Sequence, residues 1–142
     1  MSNYILSIDQ GTTSSRVALI SQKGEWIAAG QRSFRQIYPE PGWVEHDPQE
    51  IWQTVVDSLQ ECLKKARVSG ESVKTIGITN QRETVVIWNR KTGKPLYNAI
   101  VWQCRRTQKT CEKLKKQKKE KIFKTKTGLL LDPYFSGTKI QW

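Results

Sequence analysis

The stretch Tyr4-Ile-Leu-Ser-Ile-Asp-Gln-Gly-Thr-Thr-Ser-Ser-Arg-Val-Ala-Leu-Ile-Ser21 decides the reading of this chain. Two short apolar runs, 4–8 and 15–21, flank the polar segment Asp9-Gln10-Gly11-Thr12-Thr13-Ser14. That segment is too short for a crossover helix, so the runs form an antiparallel hairpin closed by a tight turn. Lys23-Gly24 marks a second turn, and Trp26 to Phe34 supplies a third strand. The chain therefore opens with an antiparallel meander.

Outward from the meander, Pro39-Glu40-Pro41-Gly42 reads as a loop before a well-marked helix. Asp47 suits the N-cap, Pro48 the first helical position and Glu50 the third, the spacing of a capping box. Ile51, Trp52, Val55, Val56, Leu59, Cys62, Leu63 and Ala66 share one face at a 3.6-residue period, and Ser69-Gly70 ends the helix. Val73 to Thr79 predicts a buried-type strand, and Thr84 to Trp88 and Ala99 to Trp102 predict two more, with turn chemistry over 89–95. A helix with a thin apolar stripe follows from Arg105, with Lys115 to Lys121 as its solvated tail. After a loop over 128–134, Ser136 to Trp142 begins a further helix. A chain that stops in the first turns of a helix reads as cut.

The sequence has 142 residues, with hydrophobic residues at 37% and charged residues at 26%, which excludes collagen-like, disulfide-scaffold and strongly disordered classes. No apolar run reaches the roughly 18 residues of a membrane span, and the opening run lacks a secretory leader's basic flank. Cys62, Cys104 and Cys111 form an odd, widely spaced set without metal-ligand spacing, the pattern of reduced thiols in a cytoplasmic protein. The formal net charge of +11 is concentrated: residues 105–126 hold eleven Lys or Arg and two Glu. Outside that segment the charges nearly balance, so the basicity belongs to one solvated helix face and no nucleic-acid partner is expected.

Three constellations carry chemistry. In Asp9-Gln-Gly-Thr-Thr-Ser-Ser-Arg16 a carboxylate at a strand end precedes a glycine and four hydroxyl residues. Backbone amides and hydroxyls there can cradle a phosphate, the carboxylate can hold Mg²⁺ through its waters, and Arg16 can add a charge-assisted contact. An ordinary polar hairpin turn has the same composition, and the segment is not a Walker loop. In Thr79-Asn-Gln-Arg-Glu83, adjacent Arg82 and Glu83 at a strand end put a donor fork beside an acceptor. Such a pair can read two neighbouring hydroxyls of a polyol, and equally can be a surface salt bridge. Trp102 and Tyr134 complete the set: an indole face packs on the C–H side of a small polyol and a phenol bonds a hydroxyl. Trp43, Trp52 and Trp88 read as core, and the lone His46 carries no catalytic role.

Asp9–Arg16, Pro41-Gly-Trp-Val-Glu-His-Asp-Pro48, Ile76-Gly-Ile-Thr-Asn-Gln-Arg-Glu83, Ala99-Ile-Val-Trp-Gln-Cys-Arg-Arg106 and Asp132-Pro-Tyr-Phe-Ser-Gly-Thr138 together resemble the N-terminal portion of the glycerol kinases. These belong to the FGGY carbohydrate kinases, and the resemblance covers essentially the whole chain. It implies an α/β, ribonuclease H-like (actin-like) domain, here incomplete, with a mixed sheet opening on the antiparallel meander. Residues 1–142 would be a partial N-terminal kinase domain without the second, adenine-binding domain. The implied activity is ATP-dependent phosphorylation of glycerol to glycerol 3-phosphate, with ATP and Mg²⁺ as cofactors.

By the same resemblance Asp9 is the metal-associated carboxylate, and Thr12, Thr13, Ser14 and Arg16 contact the nucleotide. Arg82, Glu83 and Tyr134 bond glycerol, and Trp102 is the apolar wall. The family's catalytic base falls beyond Trp142, so the isolated chain is expected to be inactive. The resemblance allows a homo-oligomer for the full-length form. An incomplete sheet is also expected to leave a bare edge and an uncovered helix face. Lys115 to Lys126 departs from the family's pattern in being richer in lysine, and no function attaches to it. Two other classes stay open: a truncated, non-catalytic binding module, and a nuclease of the same fold using Asp9, Glu83 and Asp57 for metal ions.

Overall fold

The fold follows from how two short hairpin strands recruit a helix. In the computed structural model, which describes residues 3–142, the chain divides into two compact units. The first comprises the residues up to Arg35 together with Asp47–Gln81. Its strands are β1 (Tyr4–Gln10), β2 (Ser14–Ser21), β3 (Trp26–Ser33) and β5 (Val73–Thr79), in the sheet order β3-β2-β1-β5. β1 is antiparallel to β2, in the register Asp9↔Arg16, and parallel to β5, in the register Asp9↔Thr79. The meander and mixed sheet expected from the sequence are present.

Helix α1 (Pro48–Ala66) packs on this sheet. Asp47 caps it as expected, its carboxylate accepting the Gln49 N–H at 2.8 Å. Leu6, Ile8, Val17, Leu19 and Cys62 form the buried core, with Val55, Leu59, Leu63 and Ala66 packed against it. The most deeply buried line of α1 is nevertheless small and polar: Thr54, Ser58 and Cys62. The Ser15 and Thr54 hydroxyls bond at 3.0 Å, and the Ser58 hydroxyl donates to the Ser15 carbonyl at 3.1 Å. Gly30 permits this approach, because a Cβ there would overlap the Ser58 carbonyl oxygen. Trp52, expected in the core, is 64% exposed. The line of α1 that meets the sheet is Thr54, Ser58 and Cys62, and Trp52 stands about 200° round the helix from Thr54, on the outward side.

The helix ends at Ala66 rather than at Ser69-Gly70. Arg67 takes the left-handed conformation (φ 54°), and the Arg67 and Val68 N–H groups return to the carbonyls of Lys64 and Leu63, both at 3.2 Å. β5 is also corrected. Its apolar run suggests burial on both faces, yet it pairs only with β1 and lies at the sheet edge. Ile76 is 53% and Ile78 72% exposed. β5 thus forms an unpaired edge of this sheet among the described residues.

The second unit comprises Gln36–His46 and Arg82–Trp142. Strands β4 (Glu45–His46) and β6 (Ala99–Ile100) pair antiparallel. The strand expected over 84–88 is reduced to bridges, Val85↔Ile100 and Trp88↔Pro95, and Trp88 lies exposed rather than in the core. Asn89 closes the turn between them, its side chain accepting the Lys91 and Thr92 N–H groups at 2.9 and 3.1 Å. The basic segment folds as two helices, α2 (Gln108–Lys116) and α3 (Glu120–Thr127), not as one helix with a tail. Lys118, left-handed at φ 57°, makes the break. Helix α4 (Ser136–Gln141) lies where the sequence places it.

At the centre of this unit Arg106 pairs with Glu45 at 2.5 Å, both side chains almost fully buried. The guanidinium stands 4.0 Å from the Trp43 ring centre and 4.6 Å from that of Trp142. Tyr97 Oη and Asn98 Nδ2 each donate to the Glu45 carboxylate at 2.9 Å. These bonds pair the two buried charges, the condition under which such burial is tolerated, while Arg106 Nη1 is buried without a hydrogen-bond partner among the described residues. His46 is buried, with Nε2 2.7 Å from the Gln36 side-chain oxygen.

Candidate functional site

The first group of candidate residues belongs to the β1–β2 turn. β1 carries Asp9 almost to its end, and only residues 11–13 separate it from β2. The Gly11 N–H bonds the Ser14 carbonyl at 3.0 Å, drawing the turn tight, and the Thr13 carbonyl accepts the Phe34 N–H at 3.3 Å. Asp9 and Arg16 face each other across the hairpin, 3.9 Å apart and half exposed. The Ser14 hydroxyl accepts from Gln31 at 2.9 Å. Asp9, Thr12, Thr13, Ser14 and Arg16 are thus brought to one turn.

Gln81 is a residue that sequence reasoning passed over. It is buried, and its amide donates to the Gln10 side chain and the Gly11 carbonyl, both at 3.2 Å. It pins the turn from a loop more than seventy positions away in sequence; its position beside Arg82 and Glu83 in the same motif was the available signal.

The second group lies in the other unit. Arg82 is exposed, and its guanidinium has no hydrogen-bond or ion-pair partner among the described residues, so its donor fork is available. It does not form the surface salt bridge with Glu83 that the sequence left open. Glu83 instead adopts φ 64°, the left-handed region that a side chain of this size rarely occupies. One carboxylate oxygen, Oε2, accepts the Ser136 N–H at 3.1 Å and the Ser136 hydroxyl at 2.9 Å. Trp102 and Tyr134 are in edge contact, 5.6 Å between ring centres, and Tyr134 packs edge-on to Phe135 at 5.0 Å. Tyr134 is set by Asp132, whose carboxylate accepts the Tyr134 N–H at 2.8 Å and pairs with Arg105 at 3.1 Å.

Lys139 ties these parts together and was not singled out in the sequence. Its ammonium, 2% exposed, donates to the carbonyls of Glu83 (3.2 Å), Tyr134 and Phe135 (3.4 Å). Burial pulls this ammonium below the usual lysine range, while the Glu83 carboxylate acts in the opposite direction. Glu83, Trp102 and Tyr134 therefore form one constellation: an acceptor, an indole and a phenol held by a common scaffold. Such a set suits a small polyhydroxylated ligand, whose hydroxyls need directional partners and whose carbons need an apolar wall.

Among the described residues no group of three or more His, Cys, Asp or Glu side chains could enclose a metal ion. A single half-exposed carboxylate such as Asp9 fits the manner in which Mg²⁺ binds, through one or two carboxylates, several waters and phosphate oxygens. No helix among the described residues is long and apolar enough to cross a membrane.

Comparison with known proteins shows what the chain as a whole is similar to. The chain is 62% identical over 142 residues to a glycerol kinase of Bdellovibrio bacteriovorus and 58% identical to one of Sinorhizobium fredii. All of this chain is covered in each case, but only 29% of the relative, so the chain spans less than a third of the length of the curated relatives it matches. Among solved structures it resembles Plasmodium falciparum glycerol kinase with ADP, at TM-score 0.90 and 38% identity, covering 99% of this chain and 28% of that one. A gluconate kinase from Lactobacillus acidophilus has the same fold at TM-score 0.91 and 21% identity, over 100% of this chain and 28% of that one. Residues 4–142 match the N-terminal domain of the FGGY family of carbohydrate kinases, and the chain belongs to that family.

Proposed function

We propose that this chain is the N-terminal part of an ATP-dependent glycerol kinase. The γ-phosphoryl group of ATP passes to a terminal hydroxyl of glycerol, giving ADP and glycerol 3-phosphate. Support comes from the glycerol kinases at 58–62% identity along the whole chain and from the Glu83, Trp102 and Tyr134 constellation, with Arg82 adjacent to Glu83 in sequence. The observation that carries the reading is Glu83: a strained backbone and a carboxylate fastened through one oxygen leave the other oxygen without a partner among the described residues. Strain of this kind persists where the surroundings over-determine it, and it clusters at ligand clamps. The family membership gives the nuclease reading no support.

In this reading Glu83 accepts one glycerol hydroxyl and the Arg82 fork donates to its neighbour. The Tyr134 hydroxyl makes a further bond, and Trp102 excludes water from the carbon side. In the first turn the Thr12, Thr13 and Ser14 hydroxyls and the turn amides donate to the ATP phosphates, with Arg16 adding charge. Asp9 would hold Mg²⁺, which when bound neutralises phosphate charge. The proton of the attacking hydroxyl goes to a carboxylate outside this chain. Transfer of this kind depends on positioning and charge neutralisation rather than on covalent intermediates.

The test is an assay of the complete gene product with ATP, Mg²⁺ and glycerol, beside the Arg82→Ala variant. Formation of glycerol 3-phosphate, with the glycerol KM raised about tenfold or more in the variant, supports the reading. A wild type that leaves glycerol unphosphorylated refutes it.

A further inference from the structure

We propose that Lys139, assisted by Ser136, is a positioning residue that sets specificity for the polyol by locking Glu83 in its left-handed conformation. The inference rests on the functional reading above and extends it to residues that touch no substrate.

A left-handed backbone at a residue with a long side chain is strained and needs external restraint. Here the restraint is visible. The ammonium has three N–H donors, and three carbonyls receive them: those of Glu83, Tyr134 and Phe135. One cation thus holds the peptide that follows Glu83 against the peptides that follow Tyr134 and Phe135. Ser136 performs the matching task on the side chain, with its N–H and hydroxyl both on Oε2. Oε1 has no partner among the described residues and is the oxygen left to meet a hydroxyl.

The chemistry of Lys139 argues against simple space filling. Removing an ammonium from water is expensive, and an apolar side chain of similar volume would fill a core position at lower cost. An apolar side chain cannot bridge three carbonyls. A carboxylate oxygen held in this position accepts only, and so distinguishes a hydroxyl from an ether or a deoxy position. Two of the three linked residues, Glu83 and Tyr134, are candidate polyol contacts. Loss of the bridge should therefore weaken polyol recognition and leave nucleotide recognition untouched.

The experiment compares wild-type complete gene product with Lys139→Met and Ser136→Ala, measuring KM for glycerol and for ATP separately. Lys139→Met is expected to raise the glycerol KM about tenfold with the ATP KM within about twofold of wild type. Ser136→Ala, which retains the backbone N–H, is expected to raise the glycerol KM about threefold. A folded Lys139→Met enzyme with unchanged glycerol KM overturns the inference, as does one in which both KM values rise together. Should Lys139→Met fail to fold, Ser136→Ala decides: a selective rise in glycerol KM supports the inference and no rise overturns it. A wild type inactive on glycerol overturns the functional reading and this inference with it, whereas an active wild type with indifferent variants overturns the inference alone.

Discussion

The carboxylate of Asp9 and the guanidinium of Arg16 lie 3.9 Å apart across the first hairpin, in direct register and half exposed. An ion pair in that setting contributes less than about 1 kcal/mol to stability. Its groups are free to change partners when an anion or cation enters the turn. Asp9→Asn is therefore expected to lower kcat for phosphoryl transfer at least about a hundredfold, with a thermal midpoint close to wild type. Steady-state kinetics and a thermal melt on the same preparation check both halves.

Gly30 is the position where β3 and α1 approach most closely. A Cβ there overlaps the Ser58 carbonyl and stands 3.0 Å from the Glu61 Cβ, and neither backbone can yield without moving the helix. Gly30→Ala is expected to destabilise the protein by about 2–3 kcal/mol. Gly70→Ala, where the added Cβ meets nothing within 4 Å, is the control for the measurement by thermal unfolding.

Acid stability tests the buried pair of the second unit. Burial acts to raise the Glu45 carboxyl, but the bonds from Asn98, Arg106 and Tyr97 outweigh it and hold the group below its ordinary value of 4.5. A depressed folded value means that the stabilisation is present above the unfolded value and is lost as pH falls through the folded one. Glu45→Gln should be less stable than wild type at neutral pH, and the gap should narrow below about pH 4.5. Melting both proteins across pH 3–7 measures that gap. Glu45→Ala, which strands Arg106, should cost about 3–5 kcal/mol.

Arg67 offers a test with the opposite sign. Its left-handed conformation satisfies the carbonyls at the end of α1, a position that glycine occupies without steric cost. Arg67→Gly is expected to gain up to about 1 kcal/mol, less what glycine's added freedom in the unfolded chain removes. A raised thermal midpoint supports this cap, and a lowered one contradicts it.

What could be read from the sequence was local. β1, β2, the turn between them and the Asp47 cap depend on neighbours a few positions away, and each lies where the pattern puts it. The residues that escaped notice act over long distances in the chain. Gln81 reaches Gln10 across 71 positions and Ser136 reaches Glu83 across 53, separations that no window of periodicity spans. Lys139 directly follows a motif that supplied part of the resemblance, yet nothing in its type or spacing indicates a buried ammonium. The errors have a physical pattern as well. An apolar run such as 73–79 has the same composition whether its faces are covered or open, so its pattern suggests burial while β5 lies exposed. Trp52 falls within the broad apolar period, but the period cannot reveal that the face meeting the sheet is centred on the small polar line Thr54, Ser58 and Cys62, which leaves the indole outside.

The most direct test of the central claim is phosphoryl transfer by the complete gene product, with ATP and Mg²⁺, to glycerol, xylulose and gluconate in parallel. The account predicts glycerol 3-phosphate as the product, with a kcat/KM for glycerol at least about a hundredfold above that for either other substrate. Equal or greater efficiency on xylulose or gluconate, or no transfer to glycerol at all, would contradict it.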